Sequence, residues 1–128
     1  MKINRIHHIA IIASDYEKSK KFYTEVVGLE IVNEFYRKER DSYMLNLALN
    51  GEYIVELFSF PSTPERLTYP EATGLRHLAF EVDDVAATLS ELKGKGVKVT
   101  ELQTDPNTGK HMAFFFDPDD LPLELAEA

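Results

Sequence analysis

The sequence repeats itself between its two halves. His8-Ile9-Ala10 in the first half is matched by His77-Leu78-Ala79 in the second, at an offset of 77 − 8 = 69 residues. Glu56-Leu57 is matched by Glu124-Leu125, at an offset of 124 − 56 = 68 residues. An internal repeat constrains architecture more than any local pattern, because both copies must form the same unit. Two copies are too few for a solenoid, so the chain is expected to contain one module twice.

The first copy predicts a strand, a helix and three further strands. The Ile-rich segment 5–13 has the character of a buried strand. Asp15 is placed to cap a helix over Tyr16–Val27, which Gly28 would end. Three strands should follow at about 30–37, 43–49 and 52–60, and Asn50-Gly51 between the last two is a strong hairpin signal.

The second copy predicts the same order. A segment at 61–74, richer in Pro, Thr and Glu, reads as a connecting loop. A strand at 75–82 should lead into a helix capped by Asp83 or Asp84, and three strands should follow at about 97–103, 111–116 and 121–126. We therefore expect an α+β chain in which residues 1–128 form one domain of two βαβββ halves, 1–60 and 75–128, joined by the loop.

Composition excludes several classes of partner and chemistry. The formal net charge of −8 argues against nucleic acid, which requires clustered Lys and Arg. No apolar run approaches the roughly 20 residues of a membrane span. The N-terminal segment lacks a signal-peptide cleavage site, so a cytoplasmic protein is expected. The chain has no cysteine, so any metal must be bound by nitrogen and oxygen.

Strand alternation predicts where the repeated histidines point. In the first strand, His8, Ala10 and Ile12 share one face and the bulkier Ile9 and Ile11 share the other. The bulkier set suits packing under the following helix. In the second copy the same alternation places His77 and Ala79 on one face of the strand and Leu78, Phe80 and Val82 on the other. Both histidines are therefore expected on the open face of their sheet.

Two glutamates obey the same logic. Glu56 lies within the apolar run 53–58, and Glu124 lies within 121–125. A carboxylate in an apolar strand is costly unless it is paired or binds a metal. Repeat-related histidines and glutamates together favour a divalent-metal site, because imidazole and carboxylate are common ligands of Zn²⁺, Ni²⁺, Co²⁺, Fe²⁺ and Mn²⁺.

The other notable residues are given simpler roles. By alternation His7 should point away from His8 and serve a structural or supporting role. His111 opens a strand and is expected to border the pocket at most, without binding metal. Phe22 and Tyr23 fall in the inner stripe of the first helix and are interpreted as core residues.

These motifs resemble those of the vicinal oxygen chelate proteins over nearly the whole chain. The resemblance lies in His8-Ile9-Ala10-Ile11 with the following Asp15, Ser19, Phe22-Tyr23 and Gly28-Leu29, in the segment 74–83, and in 115–120 with Leu123-Glu124-Leu125. It implies a glyoxalase/bleomycin-resistance/dioxygenase-like fold, in which curled mixed sheets of paired βαβββ modules form a metal-binding cup.

Within that superfamily the set of two histidines and two glutamates is similar to that of glyoxalase I. The resemblance implies metal ligands His8, Glu56, His77 and Glu124, with one divalent ion per site, Ni or Zn first and Co, Mn or Fe as alternatives. It implies a lyase that isomerises a hemithioacetal or similar α-hydroxycarbonyl through a metal-stabilised enediolate. Glu124, or else Glu56, would transfer the proton. It also implies a homodimer in which His8 and Glu56 of one chain meet His77 and Glu124 of the other.

The chain departs from glyoxalase I at two positions, and alternatives stay open. Ile12 and Phe60 stand where those enzymes commonly have the Arg and Asn that hold glutathione. Arg76 and Lys110 are either contacts for an anionic substrate or surface charges. The alternatives are an epimerase, a thiol transferase or a dioxygenase of the same superfamily, or a binding or resistance protein without turnover. The epimerase typically has Gln in place of Glu56, and the binding proteins generally lack the metal set.

Overall fold

The computed structural model describes all 128 residues, which divide into two compact units, Met1–Glu65 and Arg66–Ala128. Each unit has one helical region and one four-stranded mixed sheet, which confirms the predicted α+β class of paired βαβββ modules. No helix has the length and apolarity to span a membrane. The first unit contains β1 (Ile9–Ala13), α1 (Tyr16–Lys21), a π-helical turn (Phe22–Val26), β2 (Glu30–Arg37), a 3-10 turn (Lys38–Arg40), β3 (Ser42–Leu49) and β4 (Glu52–Ser59).

The sheet of the first unit has the strand order β1-β4-β3-β2. β1 runs parallel to β4, and the other neighbours are antiparallel. Asn50 and Gly51 both have positive φ, as a two-residue hairpin between β3 and β4 requires. Val55 and Leu57 are fully buried, while Glu56 between them is half-buried, so one face of β4 packs against the helical region and the other is open.

The helical region of the first unit is capped and buried at the residues that its sequence predicts. The Asp15 carboxylate accepts a hydrogen bond from the Lys18 amide at 3.2 Å and caps the N-terminus. Phe22 and Tyr23 are buried, which confirms them as core residues. They lie in a π-helical turn rather than in the single α-helix that was expected. Gly28, with a φ of 87°, ends the helical region as predicted.

The second unit contains β5 (Leu78–Val82), α2 (Val85–Gly94), β6 (Gln103–Thr104), β7 (His111–Phe116) and β8 (Pro122–Glu127), in the sheet order β5-β8-β7-β6. The strand expected at 97–103 is wrong, because only a two-residue strand and an isolated bridge at Val99 form there. The hydroxyl of Thr100 accepts the Phe114 amide at 2.9 Å, so a side chain takes a donor that a regular ladder would give to backbone.

The first strand of each unit begins later than predicted. β1 starts at Ile9 and β5 at Leu78, so His8 and His77 each immediately precede their strand. The predicted starts at residues 5 and 75 were therefore too early. In the second unit the partner strand β8 begins at Pro122, which has no amide hydrogen to extend the ladder.

The cap of α2 gives a test of the local structure. The Asp84 carboxylate accepts a hydrogen bond from the Ala87 amide at 2.9 Å, whereas Asp83 makes no such bond. Asp84→Ala should lower the free energy of unfolding by about 1 kcal/mol, because it leaves a helix amide without its acceptor. Asp83→Ala should change it by less than about 0.5 kcal/mol. Urea denaturation followed by circular dichroism compares the two, and equal losses would contradict the assignment.

Candidate metal centre

The first unit brings His8 and Glu56 together. Parallel pairing of β1 with β4 aligns Ala10 with Glu56, and His8 lies two residues before Ala10. His8 Nε2 is 3.8 Å from Glu56 Oε1. The two side chains are 34% and 18% exposed, so they face a surface that a ligand can reach.

The second unit repeats this arrangement. Parallel pairing of β5 with β8 aligns Ala79 with Glu124, and His77 again lies two residues before the aligned alanine. His77 Nε2 is 2.9 Å from Glu124 Oε2, and the side chains are 27% and 20% exposed. The same register in both halves shows that the sequence repeat is a repeat of geometry, with one imidazole–carboxylate pair in each.

The open-face location of the glutamates follows from their neighbours. Leu123 and Leu125, on either side of Glu124, are buried, as Val55 and Leu57 are around Glu56. A strand whose alternate side chains fill the core must direct the intervening ones away from it. Each pair therefore offers an imidazole nitrogen and carboxylate oxygens, which are donors that suit Zn²⁺, Ni²⁺ and similar ions. Within the chain, no group of three or more His, Asp and Glu side chains is placed to hold a metal ion.

His7 does not point away from His8, contrary to the prediction. Its Nδ1 lies 2.7 Å from Nδ1 of His8, and the ring centroids are 5.0 Å apart. Alternation does not apply to these residues, because β1 begins only at Ile9. One of the two nitrogens must donate the shared hydrogen. If His8 donates, its Nε2 keeps a lone pair on the side of Glu56, which is the tautomer that a metal ligand needs.

Tyr53 is a site residue that sequence reasoning missed. Its hydroxyl lies 2.9 Å from Glu56 Oε2 and 3.0 Å from Asn46 Oδ1, and the Asn46 amide donates to Asn33 Oδ1 at 2.6 Å. Simple alternation would put Tyr53 on the face opposite to Glu56. A β-bulge opposite Leu47 and Ala48 reverses that parity, and no turn residue in the sequence signals it.

The Tyr53 phenol is a hydrogen-bond donor over the whole neutral range. Burial, and then the hydrogen bond to Glu56, raise the pKa of Tyr53 to about 12. The phenol thus stays protonated and donates a hydrogen bond to the Glu56 carboxylate. Tyr53 orients Glu56, and its ring also contacts His8 with the centroids 5.1 Å apart.

A charged residue lies beside His77, unlike the neutral Tyr53 beside His8. The Arg76 guanidinium lies 2.9 Å from His77 Nδ1 and over the Phe114 ring, 5.5 Å from its centroid. A guanidinium only donates, so Nδ1 is the acceptor, and in the neutral imidazole the hydrogen is on Nε2, facing Glu124. Arg76 is therefore engaged with the imidazole itself. His111 forms a separate pair, with Nδ1 3.8 Å from Glu127 Oε2, while Lys110 is exposed.

The chain belongs to the Glyoxalase/Bleomycin resistance protein/Dioxygenase superfamily, whose sequence model matches residues 5–125. It is 58% identical to the uncharacterized protein YwkD of Bacillus subtilis, with 99% of each chain covered, and 54% identical to the uncharacterized protein YaeR of Escherichia coli, with 98% of this chain and 97% of that one covered. A probable lactoylglutathione lyase of Vibrio parahaemolyticus is 31% identical over 99% of this chain and 93% of its own. The crystal structure of a glyoxalase family protein from Enterococcus faecalis superposes with a TM-score of 0.91 at 45% identity, covering 99% of this chain and 100% of that one.

Removing the phenol tests the role given to Tyr53. Tyr53→Phe should lower the free energy of unfolding by about 1 kcal/mol at neutral pH, because Glu56 and Asn46 lose a shared partner. The raised pKa of Tyr53 means that this stabilisation is complete below pH 10, the usual pKa of the phenol, and is lost as the pH rises towards 12. Denaturant unfolding of both proteins at several pH values measures the difference. The control is Tyr69→Phe, since Tyr69 is 60% exposed and makes no hydrogen bond through its hydroxyl; equal effects of the two variants would contradict the assignment.

Proposed function

We propose that the protein is a divalent-metal-dependent lyase of the glyoxalase I type, acting on a hemithioacetal or a similar α-hydroxycarbonyl. The observation that carries the proposal is the equivalent His–Glu pair of each half, His8 with Glu56 and His77 with Glu124. Membership of the superfamily and the similarity to a probable lactoylglutathione lyase support the choice of chemistry.

The residues present fit a metal with nitrogen and oxygen ligands. Each pair is partly exposed and consists of donors that Ni²⁺ and Zn²⁺ accept. For His77 to bind an ion through Nε2, its hydrogen would have to be on Nδ1, so the Arg76 guanidinium would have to leave that nitrogen. We propose that two pairs from different chains of a homodimer, His8 and Glu56 of one and His77 and Glu124 of the other, hold one ion. When bound, such an ion supplies Lewis acidity to the substrate oxygens.

The carboxylates are the proton-transfer groups in this proposal. A general base must reach the proton that it removes, and a carboxylate on an open sheet face meets that condition. Glu124 is the preferred base, because its polar partner in the chain is His77, itself a proposed metal ligand, whereas Tyr53, which is outside the proposed ligand set, donates a hydrogen bond to Glu56. The hydrogen bond from Tyr53 occupies a lone pair of the Glu56 carboxylate. Glu56 would then act mainly as a ligand.

The apolar residues Ile12 and Phe60 bear on the identity of the thiol in the substrate. Ile12 is 53% exposed and Phe60 is partly exposed, so neither side chain belongs to the core. Neither side chain can make the hydrogen bonds with which an Arg and an Asn at these positions hold the γ-glutamyl end of glutathione. We therefore propose a thiol other than glutathione, or a substrate without one.

Metal affinity can be measured without any substrate. Calorimetric titration of the metal-free protein with Ni²⁺ and Zn²⁺ should give one ion per chain. His77→Ala should weaken binding at least about 100-fold, since even residues that only support a ligand account for 10- to 100-fold. His111→Ala is the matched control, because His111 also faces a glutamate but lies outside the proposed set. Unchanged affinity in His77→Ala would exclude His77 as a ligand.

Mixing two inactive variants tests whether the site is shared. His8→Ala and His77→Ala proteins, unfolded and refolded together, should recover metal binding at about a quarter of the sites, because half of the dimers are mixed and each mixed dimer has one intact site. Each variant refolded alone should recover none. Absence of recovery in a mixture that does form mixed dimers would contradict a site shared between chains.

The base is tested by an isosteric change. Glu124→Gln should retain most metal affinity but lower kcat at least about 100-fold, the usual contribution of a positioned base. The assay follows methylglyoxal with glutathione and with other thiols, over Ni²⁺, Zn²⁺, Co²⁺ and Mn²⁺, with the exposed Glu101→Gln as control. Full activity in Glu124→Gln would refute the assignment, and a metal-loaded wild-type protein inactive with every thiol would refute a hemithioacetal as the substrate.

A further inference from the structure

The open face of the first sheet continues beyond Glu56 as an aromatic floor. Phe58 lies two residues further along β4, and alternation puts it on the same face as Glu56. Phe60, just past the end of the strand, stacks with it, with centroids 6.1 Å apart and planes inclined by 12°. Ile12, which β1 places opposite Phe58 in register, adds exposed apolar surface beside it.

Two guanidinium groups lie over this floor. Arg37, at the end of β2, has its Cζ 5.0 Å from the centroid of the Phe58 ring. Arg40, in the 3-10 turn that follows, has its Cζ 5.2 Å from the centroid of the Phe60 ring. Each cation thus covers one of the two stacked rings, and both belong to one turn of the chain.

Neither guanidinium forms an ion pair with a carboxylate of the chain, whose salt bridges involve other residues. Arg37 donates to the Ser42 hydroxyl at 2.9 Å, and its Nε is buried without any hydrogen-bond partner. The neighbouring acid, Asp41, accepts instead from the Tyr36 hydroxyl at 2.6 Å. In a chain of net charge −8, a half-buried arginine left without an acid is an energetic cost that a bound anion would relieve.

We propose that Arg37, Arg40, Phe58 and Phe60 form a binding subsite for a small organic anion with an aryl or alkyl stem. The stem packs against the exposed Ile12 and the partly exposed Phe58 and Phe60 beside the guanidinium groups, and the carboxylate or phosphate accepts hydrogen bonds from the free guanidinium donors, which suit planar bidentate pairing. Four residues of strand separate Glu56 from Phe60, or about 13 Å. A molecule held here can therefore present its other end to the His8–Glu56 pair.

The subsite deepens the proposed function, since it names the part of the substrate distant from the reacting atoms. The subsite rests on the proposed function only for the reacting end of the bound molecule. The anion and the stem contact residues outside the proposed set of metal ligands. Binding at the subsite is expected with or without metal. The test is therefore made on the metal-free protein, so that failure of the lyase activity and failure of the subsite are distinguishable.

The probes are 3-phenylpropionate, 3-phenylpropyl phosphate, the neutral 3-phenyl-1-propanol, and propionate, which lacks the ring. Calorimetry or ligand-observed NMR should show that the wild-type protein binds the aryl anions about tenfold or more tightly than either the alcohol or propionate. Whichever of the two aryl anions binds more tightly shows whether the subsite prefers a carboxylate or a phosphate. Equal affinity for the aryl anions and the alcohol, or no binding of any probe, would overturn the proposal.

Variants locate the binding. Arg37→Met should weaken the aryl anions about tenfold and leave the alcohol unchanged, because it keeps the apolar stem and removes the charge. Arg40→Met, in an exposed turn where folding is not at risk, should weaken them in the same direction. Arg5→Met is the control, since Arg5 is exposed and faces Glu52 at 3.5 Å. If Arg40→Met and a folded Arg37→Met both bind the anions like the wild type, the subsite is excluded.

Discussion

The parallel pairing of the first and last strands of each half is the constraint on which the rest of the structure depends. Parallel neighbours cannot be joined by a tight turn, so a helix and two strands must be inserted between them. This explains why each histidine precedes its glutamate by nearly the same distance, 56 − 8 = 48 residues in the first half and 124 − 77 = 47 in the second. Residues remote in sequence become neighbours because the crossover returns the chain to the strand from which it began.

Equivalent backbones do not make the two halves chemically equivalent. In the first half a neutral phenol, that of Tyr53, holds Glu56, and His7 contacts His8. In the second half a cation, Arg76, contacts His77, and no phenol reaches Glu124. The duplication thus provides the geometry twice, and the neighbouring side chains that contact each pair differ between the halves.

The open face of the first sheet combines two kinds of surface. Near the strand start it is polar, with His8, Glu56 and the amides linked to Tyr53. Towards the other end it is aromatic, with the phenylalanines covered by Arg37 and Arg40. Apolar walls with a few placed polar groups are the usual construction of a small-molecule site, because the walls favour burial and the polar groups select orientation. Arg37 and Arg40 form no ion pair with a carboxylate of the chain, so their charge on this surface is uncompensated.

Much of the fold could be read from local patterns. The Asp15 cap and the Asn50-Gly51 hairpin depend on interactions within a few residues. The repeat, the α+β class and the burial of Tyr23 follow from the spacing of residues along the chain. Prediction failed where a distant partner decides the outcome. The segment 97–103 has strand character, yet the Thr100 hydroxyl interrupts its ladder. The prediction that His7 points away from His8 relied on the alternation of side chains, which applies only within a strand.

The sequence by itself determined that the chain contains one module twice and that each copy has a histidine and a glutamate in equivalent positions, because periodicity and spacing are properties of the chain alone. Only the tertiary structure decided what surrounds them. A single bulge in β4 turns Tyr53 towards Glu56, and the end of β2 brings Arg37 over Phe58. Both depend on strand register, and register is settled by the packing of whole sheets, which no local pattern encodes.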